Sequence, residues 1–293
     1  MMEDSETDPE AGRAMRMADG ISVIIPASNE AGYIGRCLDS LLDQTLDPGS
    51  LEVIVIANGC TDETARIARS RATHFAACGW CLRVLELERG GKIGALNLGD
   101  ARATGPVRVY LDADVVCAPG LMAALHSALA TDRPCYATGR MIVARARSQV
   151  TRLYADFWQR LPFAAAGGTG AGLFAVNAAG RARWKQFPDV ISDDTFVRLQ
   201  FHPRERQEVA QTYIWPMVEG FRALVRVRRR QDAGVAEIAR RYPAAMENEN
   251  KARPGWRDLI LLAARAPLGF GVYAMVWAAT RIRDDDGCWS RGR

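Results

Sequence analysis

Four groups of residues combine side chains and spacing that suit chemistry. Asp112-Ala113-Asp114 sets two carboxylates one small residue apart. Hard oxygen donors at that spacing suit Mg²⁺ or Mn²⁺, which would bridge a diphosphate and neutralise charge on a departing nucleoside diphosphate. A solvated strand-end turn uses the same residues. Asp193-Asp194 lies in Val190-Ile-Ser-Asp-Asp-Thr-Phe-Val-Arg-Leu199. The apolar residues that follow place the pair in the first turn of a helix, where the dipole favours a carboxylate. Adjacent carboxylates repel, which raises one toward a useful base. The plainer reading is an N-cap with an acidic first turn. In Gly90-Gly91-Lys92 the glycines let backbone approach a ligand, and Lys92 offers a point charge to a phosphate. Its alternative is a surface lysine near a helix start. Arg222, Arg226, Arg228, Arg229 and Arg230 form a basic run. Most of it reads as a solvated or membrane-facing face, with one or two arginines able to fork a diphosphate.

Positioning these groups requires a frame. Residues 21–25, 51–56, 82–87 and 107–111 are short apolar runs that read as buried strands. Between them lie helical patterns: one opened by Asn29 and Glu30, one capped by residues 61–63 and running through Ala76, and one from Gly90 to near Ala103. Strand and helix alternate, which predicts a mostly parallel sheet covered by helices. Ligands of such sheets sit beyond the carboxyl ends of the strands. Residues 26–30, 57–62 and 112–114 follow strands one, two and four, so all three fall on that rim. Further on, residues 135–144 read as a strand, 148–159 as a helix and 164–172 as a Gly/Ala-rich loop before the apolar residues 173–176.

The bulk properties narrow the class. The chain has 293 residues, 48% hydrophobic and 25% charged, enough for one large α/β domain and an appendage. A net charge of +4 is too small to imply nucleic acid as a partner. Residues 1–20 are acidic and polar and read as a disordered leader, not a secretory signal. Seven scattered cysteines fit a reducing, cytosolic compartment. His74, Cys78 and Cys81 lack a fourth zinc ligand, so they read as a helix-to-strand connection. Residues 256–283 are rich in apolar side chains. A membrane span needs roughly 20 mostly apolar residues, and Arg265 and Pro267 interrupt the run. A helical hairpin bending near Gly269 and Gly271 is expected instead. It is packed on the catalytic part or lies in peripheral contact with the inner face of an anionic membrane through Arg257, Arg281 and Arg283.

Neither GxxxxGK[ST] nor GxGxxG is present, which argues against a P-loop and a dinucleotide-binding domain. The order of the pieces resembles family 2 glycosyltransferases of the GT-A fold. The matching segments are Ser22-Val-Ile-Ile-Pro-Ala-Ser-Asn-Glu30, Val53-Ile-Val-Ile-Ala-Asn-Gly-Cys-Thr-Asp62 and Gly91-Lys-Ile-Gly-Ala-Leu-Asn-Leu-Gly99. Asp112-Ala-Asp114, residues 167–176 and Ser192-Asp-Asp194 follow. The resemblance covers about residues 21–230 and implies a catalytic domain there, with a helical segment over 231–293.

It also implies roles. Pro26, Ala27, Ser28, Glu30 and Asn58 would line the base and ribose pocket, and Lys92 would approach the donor phosphates. Asp112 and Asp114 would hold Mg²⁺ or Mn²⁺, with Asp112 also on the donor. Residues 168–172 would shape the acceptor side. Asp194, beside Asp193, would be the base that deprotonates an acceptor hydroxyl, with inversion at the anomeric carbon. The partners implied are a nucleotide-diphosphate-sugar and a hydroxyl acceptor. Three departures stand out. Ala57-Asn58-Gly59-Cys60 replaces the common Asp-Asp-Gly-Ser, which leaves the donor base open. Asp193-Asp194 replaces Glu-Asp. No Gln-x-x-Arg-Trp occurs, which argues against a processive synthase, although residues 228–230 would take part of that role. Two other functions fit less well: a sugar-phosphate nucleotidylyltransferase, which needs a Gly-rich basic loop after strand one, and a non-catalytic binding protein on a transferase fold.

Overall fold

The protein is described from a computed structural model over residues 19–165, 170–252 and 254–282. Nearly all of the acidic leader, together with Gly168 and Arg283, lies outside these residues.

The first half alternates as its pattern predicts. β1 (Ile21–Ala27), β2 (Leu51–Asn58), β3 (Cys81–Leu87) and β4 (Val107–Leu111) are separated by α1 (Ile34–Leu42), α2 (Thr64–Arg69), α3 (Ala72–Ala77) and α4 (Lys92–Arg102). The pattern expected as one helix through Ala76 is two helices, broken at Ser70 and Arg71. Cys78 caps α3 and Cys81 opens β3. The second half adds β5 (Val116–Cys117), α5 (Leu121–Leu129), β6 (Tyr136–Val143), α6 (Gln149–Trp158) and α7 (Pro162–Ala165). Then come β7 (Leu173–Val176), α8 (Ala178–Arg181), α9 (Asp193–Arg198) and β8 (Arg206–Trp215). The helices α10 (Phe221–Arg241), α11 (Trp256–Arg265) and α12 (Pro267–Arg281) close the chain.

One eight-stranded sheet runs β3-β2-β1-β4-β7-β6-β8-β5. β1, β2, β3 and β4 are mutually parallel. β7 pairs antiparallel with both β4 and β6, β6 is parallel to β8, and β5 is antiparallel to β8. Every described strand except β5 and β7 therefore ends at one rim. The mostly parallel sheet read from the sequence is present, with these two reversals added.

β2 is buried along its whole length and β1 at all but Pro26, because helices cover both faces. One core, on the α1 and α5 side, includes Val23, Val53, Leu38, Leu121 and Leu125. The other includes Ile24, Ile54, Leu96, Phe174, Phe196 and Ile238. A third, smaller core joins Tyr154 of α6, Leu224 and Val225 of α10, and Val272 and Val276 of α12.

The carboxyl-terminal expectations need two corrections. A boundary after residue 230 falls inside the 21-residue α10. This helix packs Leu224 and Val225 into the third core and Ile238 into the second, so it ties the two regions together. The bend between α11 and α12 is at Ala266, with φ −144° and ψ 63°, not at the glycines. Pro267 explains this, since it lacks an N–H and bars the helical conformation from the residue before it. Gly269 instead permits close packing: a Cβ there would lie 2.9 Å from the Leu153 carbonyl oxygen of α6. Among the described residues, no helix is long and apolar enough to cross a membrane.

Candidate active site

The rim beyond β1, β2 and β4 gathers the residues singled out above. Its first layer is wiring between loops. The Asn58 amide nitrogen donates to the Ala27 carbonyl at 3.0 Å, and its amide oxygen accepts from the Gly91 N–H at 2.8 Å. Asn58 is buried, and both ends of its amide are engaged with main chain. It holds the Gly90-Gly91 turn against the end of β1 and also lines the larger cavity of this rim. The Glu30 N–H donates to the Thr64 hydroxyl at 2.8 Å, and the Ala31 N–H to Asp62 at 3.0 Å. Burial works against the Asp62 charge, but Thr64 and backbone donors outweigh it and pull its carboxyl below the usual value. The sequence reading passed over Asp62 except as a helix cap; here it pins the loop after β1.

The second layer is charged. Gly91 precedes α4, whose first residue is Lys92. The Lys92 ammonium lies 3.0 Å from Asp112 Oδ1 and 3.2 Å from Asp193 Oδ1. One lysine thus joins motifs 20 and 101 residues away in the chain. Lys92 and Asp112 side chains are 45% and 36% exposed, while Asp193 is 7% exposed. Partial burial opposes the lysine's charge, but Asp112, Asp193 and Asp194 outweigh it and hold its pKa above that of a free lysine. Burial pushes the Asp193 carboxyl up, against the pull of Lys92 and with the repulsion of Asp194 and Asp112.

The elements behind these side chains explain their placement. Asp112 leaves β4, and its N–H donates to the Gly172 carbonyl at 2.8 Å, just before β7. Ala113 is buried, so the chain turns and carries Asp114 to the same rim. Asp193 and Asp194 form the first turn of α9, as the residue pattern predicts, and Asp194 accepts from the Thr195 N–H at 2.7 Å. Phe196 and Val197 anchor that helix in the second core. α10 braces the segment before it: Glu237 accepts from the Ile191 N–H at 2.9 Å. Gly234 leaves room for Ser192, whose hydroxyl a Cβ would strike.

Two adjoining cavities share this rim. The smaller, about 110 Å³, is lined by Lys92, Asp112, Gly172, Asp193, Asp194 and Arg230. The larger, about 870 Å³, includes Pro26, Ser28, Glu30, Asn58, Asp112 and Asp114. Ala27 is buried behind this wall and contributes its carbonyl to Asn58. The basic run divides. Arg230 lines both cavities and Arg228 the larger one. Arg229 donates to the Ala279 and Ile282 carbonyls, each at 2.8 Å, and so closes the end of α12. Arg222 and Arg226 are exposed. Trp215, at the end of β8, lines both cavities and was not singled out from the sequence. Its signal is only topological, since β8 ends at the same rim as β4.

Comparison with known proteins identifies the family and the fold. The chain is 38% identical over 100 residues to the glycosyltransferase AglE of Haloferax volcanii, a match over 34% of this chain and 31% of AglE. It spans a third or less of the length of the first curated relatives it matches. Its fold is similar to a mannosyltransferase from Pyrobaculum calidifontis in complex with GDP-Man and Mn²⁺. That likeness has TM-score 0.56 and 22% identity, covering 92% of this chain and 81% of that one. It is also similar to S. aureus TarS in complex with UDP-GlcNAc, with TM-score 0.53 and 15% identity, covering 89% and 91%. The family described as Glycosyl transferase family 2 matches residues 22–184, more than half of the chain. With that match falling on β1 to α8 and the rim they build, the chain belongs to glycosyl transferase family 2.

Proposed function

We propose that this chain transfers a glycosyl unit from a nucleotide-diphosphate-sugar to a hydroxyl acceptor, with a divalent metal and with inversion. The observation that carries this is the meeting of Lys92, Asp112 and Asp193 at one rim, with Asp114 and Asp194 beside them. The solved neighbours named above hold a sugar nucleotide, one of them with Mn²⁺, and this supports the same ligand class here.

The donor set fits a hard cation. Asp112 and Asp114 offer only carboxylate oxygens as ligands. That suits Mg²⁺ or Mn²⁺, which keep water and take substrate phosphates as further ligands. Held by Asp112 and Asp114, such an ion would supply charge neutralisation on the leaving diphosphate. Lys92, and Arg230 from α10, add fixed positive charge for the phosphates.

Asp194 is our candidate base. It is half-buried and lines the smaller cavity, whereas Asp193 is spent on Lys92. The acceptor oxygen bonds to the anomeric carbon as the bond to the diphosphate breaks, and its proton passes to Asp194. Attack from the side opposite the leaving group inverts the centre. Asp193 then acts as a positioning residue that keeps Lys92 aimed at the rim, and Asn58 positions the turn that carries Lys92.

Asp114→Asn tests the assignment. Mn²⁺-dependent hydrolysis of a panel of sugar nucleotides should fall to background in that variant while its melting temperature holds. Full hydrolysis by the variant would rule out the metal site.

A further inference from the structure

The larger cavity is lined by two unlike groups of residues. One is the charged rim. The other is built from Tyr154 and Trp158 of α6, Trp215 and Met217 at and beyond the end of β8, and Leu224 and Val227 of α10. Tyr154, Met217 and Leu224 are at most 8% exposed and belong to the third core. The Trp158 and Trp215 rings lie 6.3 Å apart along this wall. A bare saccharide buried against these side chains would lose water from hydroxyl groups that find few partners there besides Arg228, and each unpaired group is costly. Hydrocarbon or an aromatic ring loses nothing of the kind and gains burial.

Resting on the transferase reading above, we propose that the acceptor is an amphiphile. Its hydroxyl-bearing head meets Asp194, and its apolar portion lies against Trp158, Trp215, Met217 and Leu224. The outer side of the same helical layer points to where such a molecule comes from. Tyr154, which faces the cavity, stacks on Tyr273 of α12 with ring centres 5.5 Å apart. The outer faces of α11 and α12 expose Trp256, Ile260, Leu261, Leu268, Met275 and Trp277. Arg257 and Arg281 lie over the Trp256 and Trp277 rings. Apolar side chains mixed with arginines suit an anionic lipid surface. A membrane lipid and a soluble molecule with an apolar aglycone share the chemistry the cavity asks for, and the experiment separates them.

Methyl, butyl and octyl β-glucosides, each below its micelle-forming concentration, are titrated onto the full chain with UDP or GDP and Mn²⁺. Tryptophan fluorescence reads the binding. Affinity should rise about fourfold per buried methylene, equivalent to ~0.8 kcal/mol. Trp158→Ala should flatten that slope and Trp158→Phe should keep it, while Leu268→Ser on the outer face leaves it unchanged. Co-sedimentation with phosphatidylglycerol-containing vesicles assigns a membrane lipid as the source, and its absence beside a steep slope assigns a soluble amphiphile. Equal affinity across the series with intact Mn²⁺-dependent nucleotide binding overturns this inference alone. A slope lost in Leu268→Ser but kept in Trp158→Ala overturns the cavity assignment. Loss of Mn²⁺-dependent nucleotide binding overturns the transferase reading beneath it.

Discussion

Two clusters of acid and base sit on the same sheet and behave oppositely. At one, Asp100 is 6% exposed and accepts from Arg108 at 2.7 Å, from the Tyr110 hydroxyl at 2.7 Å and from Arg181 at 2.8 Å. Burial alone would raise its carboxyl, but Arg181, Tyr110 and Arg108 outweigh it and pull it below the usual range. At the other, a single lysine serves Asp112 and Asp193 while Asp114 and Asp194 flank it, and the group opens onto cavities. The first cluster is closed: its one carboxylate is saturated by two guanidinium groups and a hydroxyl. The second crowds four carboxylates at one rim with Lys92 and Arg230, and burial and repulsion raise Asp193. Removing one partner from a closed, donor-saturated cluster is costly to the fold, whereas carboxylates crowded at a cavity suit a ligand site.

The comparison can be broken from either side. The largest effect is expected at the open cluster: Asp194→Asn should lower transfer by roughly 10²–10⁴-fold with nucleotide binding unchanged. Weakened nucleotide binding with normal turnover would show that Asp194 is not the base. The closed cluster should answer in stability. Asp100→Asn leaves two half-buried arginines short of a charged partner and should cost about 3 kcal/mol, the low end for a broken buried pair, in denaturant unfolding, with nucleotide affinity of the folded protein intact. Loss of activity without loss of stability there would erase the distinction.

The smallest effect lies at a third pair, outside both clusters. Arg183 forks Glu205 at 2.7 and 2.8 Å, and chiefly through that contact holds its carboxyl near about 2, below the ordinary 4.5. A depressed carboxyl stabilises the fold above its unfolded pKa, and that stability is lost as pH falls from about 4.5 toward about 2. Arg183→Gln should remove up to about 1 kcal/mol of it at neutral pH and flatten the acid limb of a melting curve, while activity stays unchanged.

How much of this was legible in the sequence follows the locality of each feature. β1 to β4 are short apolar runs between helical patterns, and their parallel pairing set residues 26–30 and 112–114 on one rim. Asp193 and Asp194 fell in a first turn as their neighbours predicted. The reversals of β5 and β7 were not legible, because pairing direction is set by partners far along the chain. Half of β8 is polar, Arg206-Gln-Glu-Val-Ala-Gln211, so no alternation announced it or the Trp215 at its end. The rim position of Asn58 was legible, because its loop follows β2. Only the positions of Ala27 and Gly91 reveal that both ends of its amide are taken. The glycines at 269 and 271 suggested a bend, but proline chemistry at 267 decided it.

Asp112 and Asp114 are the proposed metal site for a nucleoside diphosphate. Thermal unfolding with and without Mn²⁺, UDP and GDP tests it most directly, in the native chain and in Asp112→Asn. One diphosphate with Mn²⁺ should raise stability by roughly 2.7 kcal/mol at 100 times its Kd, with little effect of either alone and none of the pair in the variant. An equal rise in Asp112→Asn, or a rise that needs no metal, would contradict it.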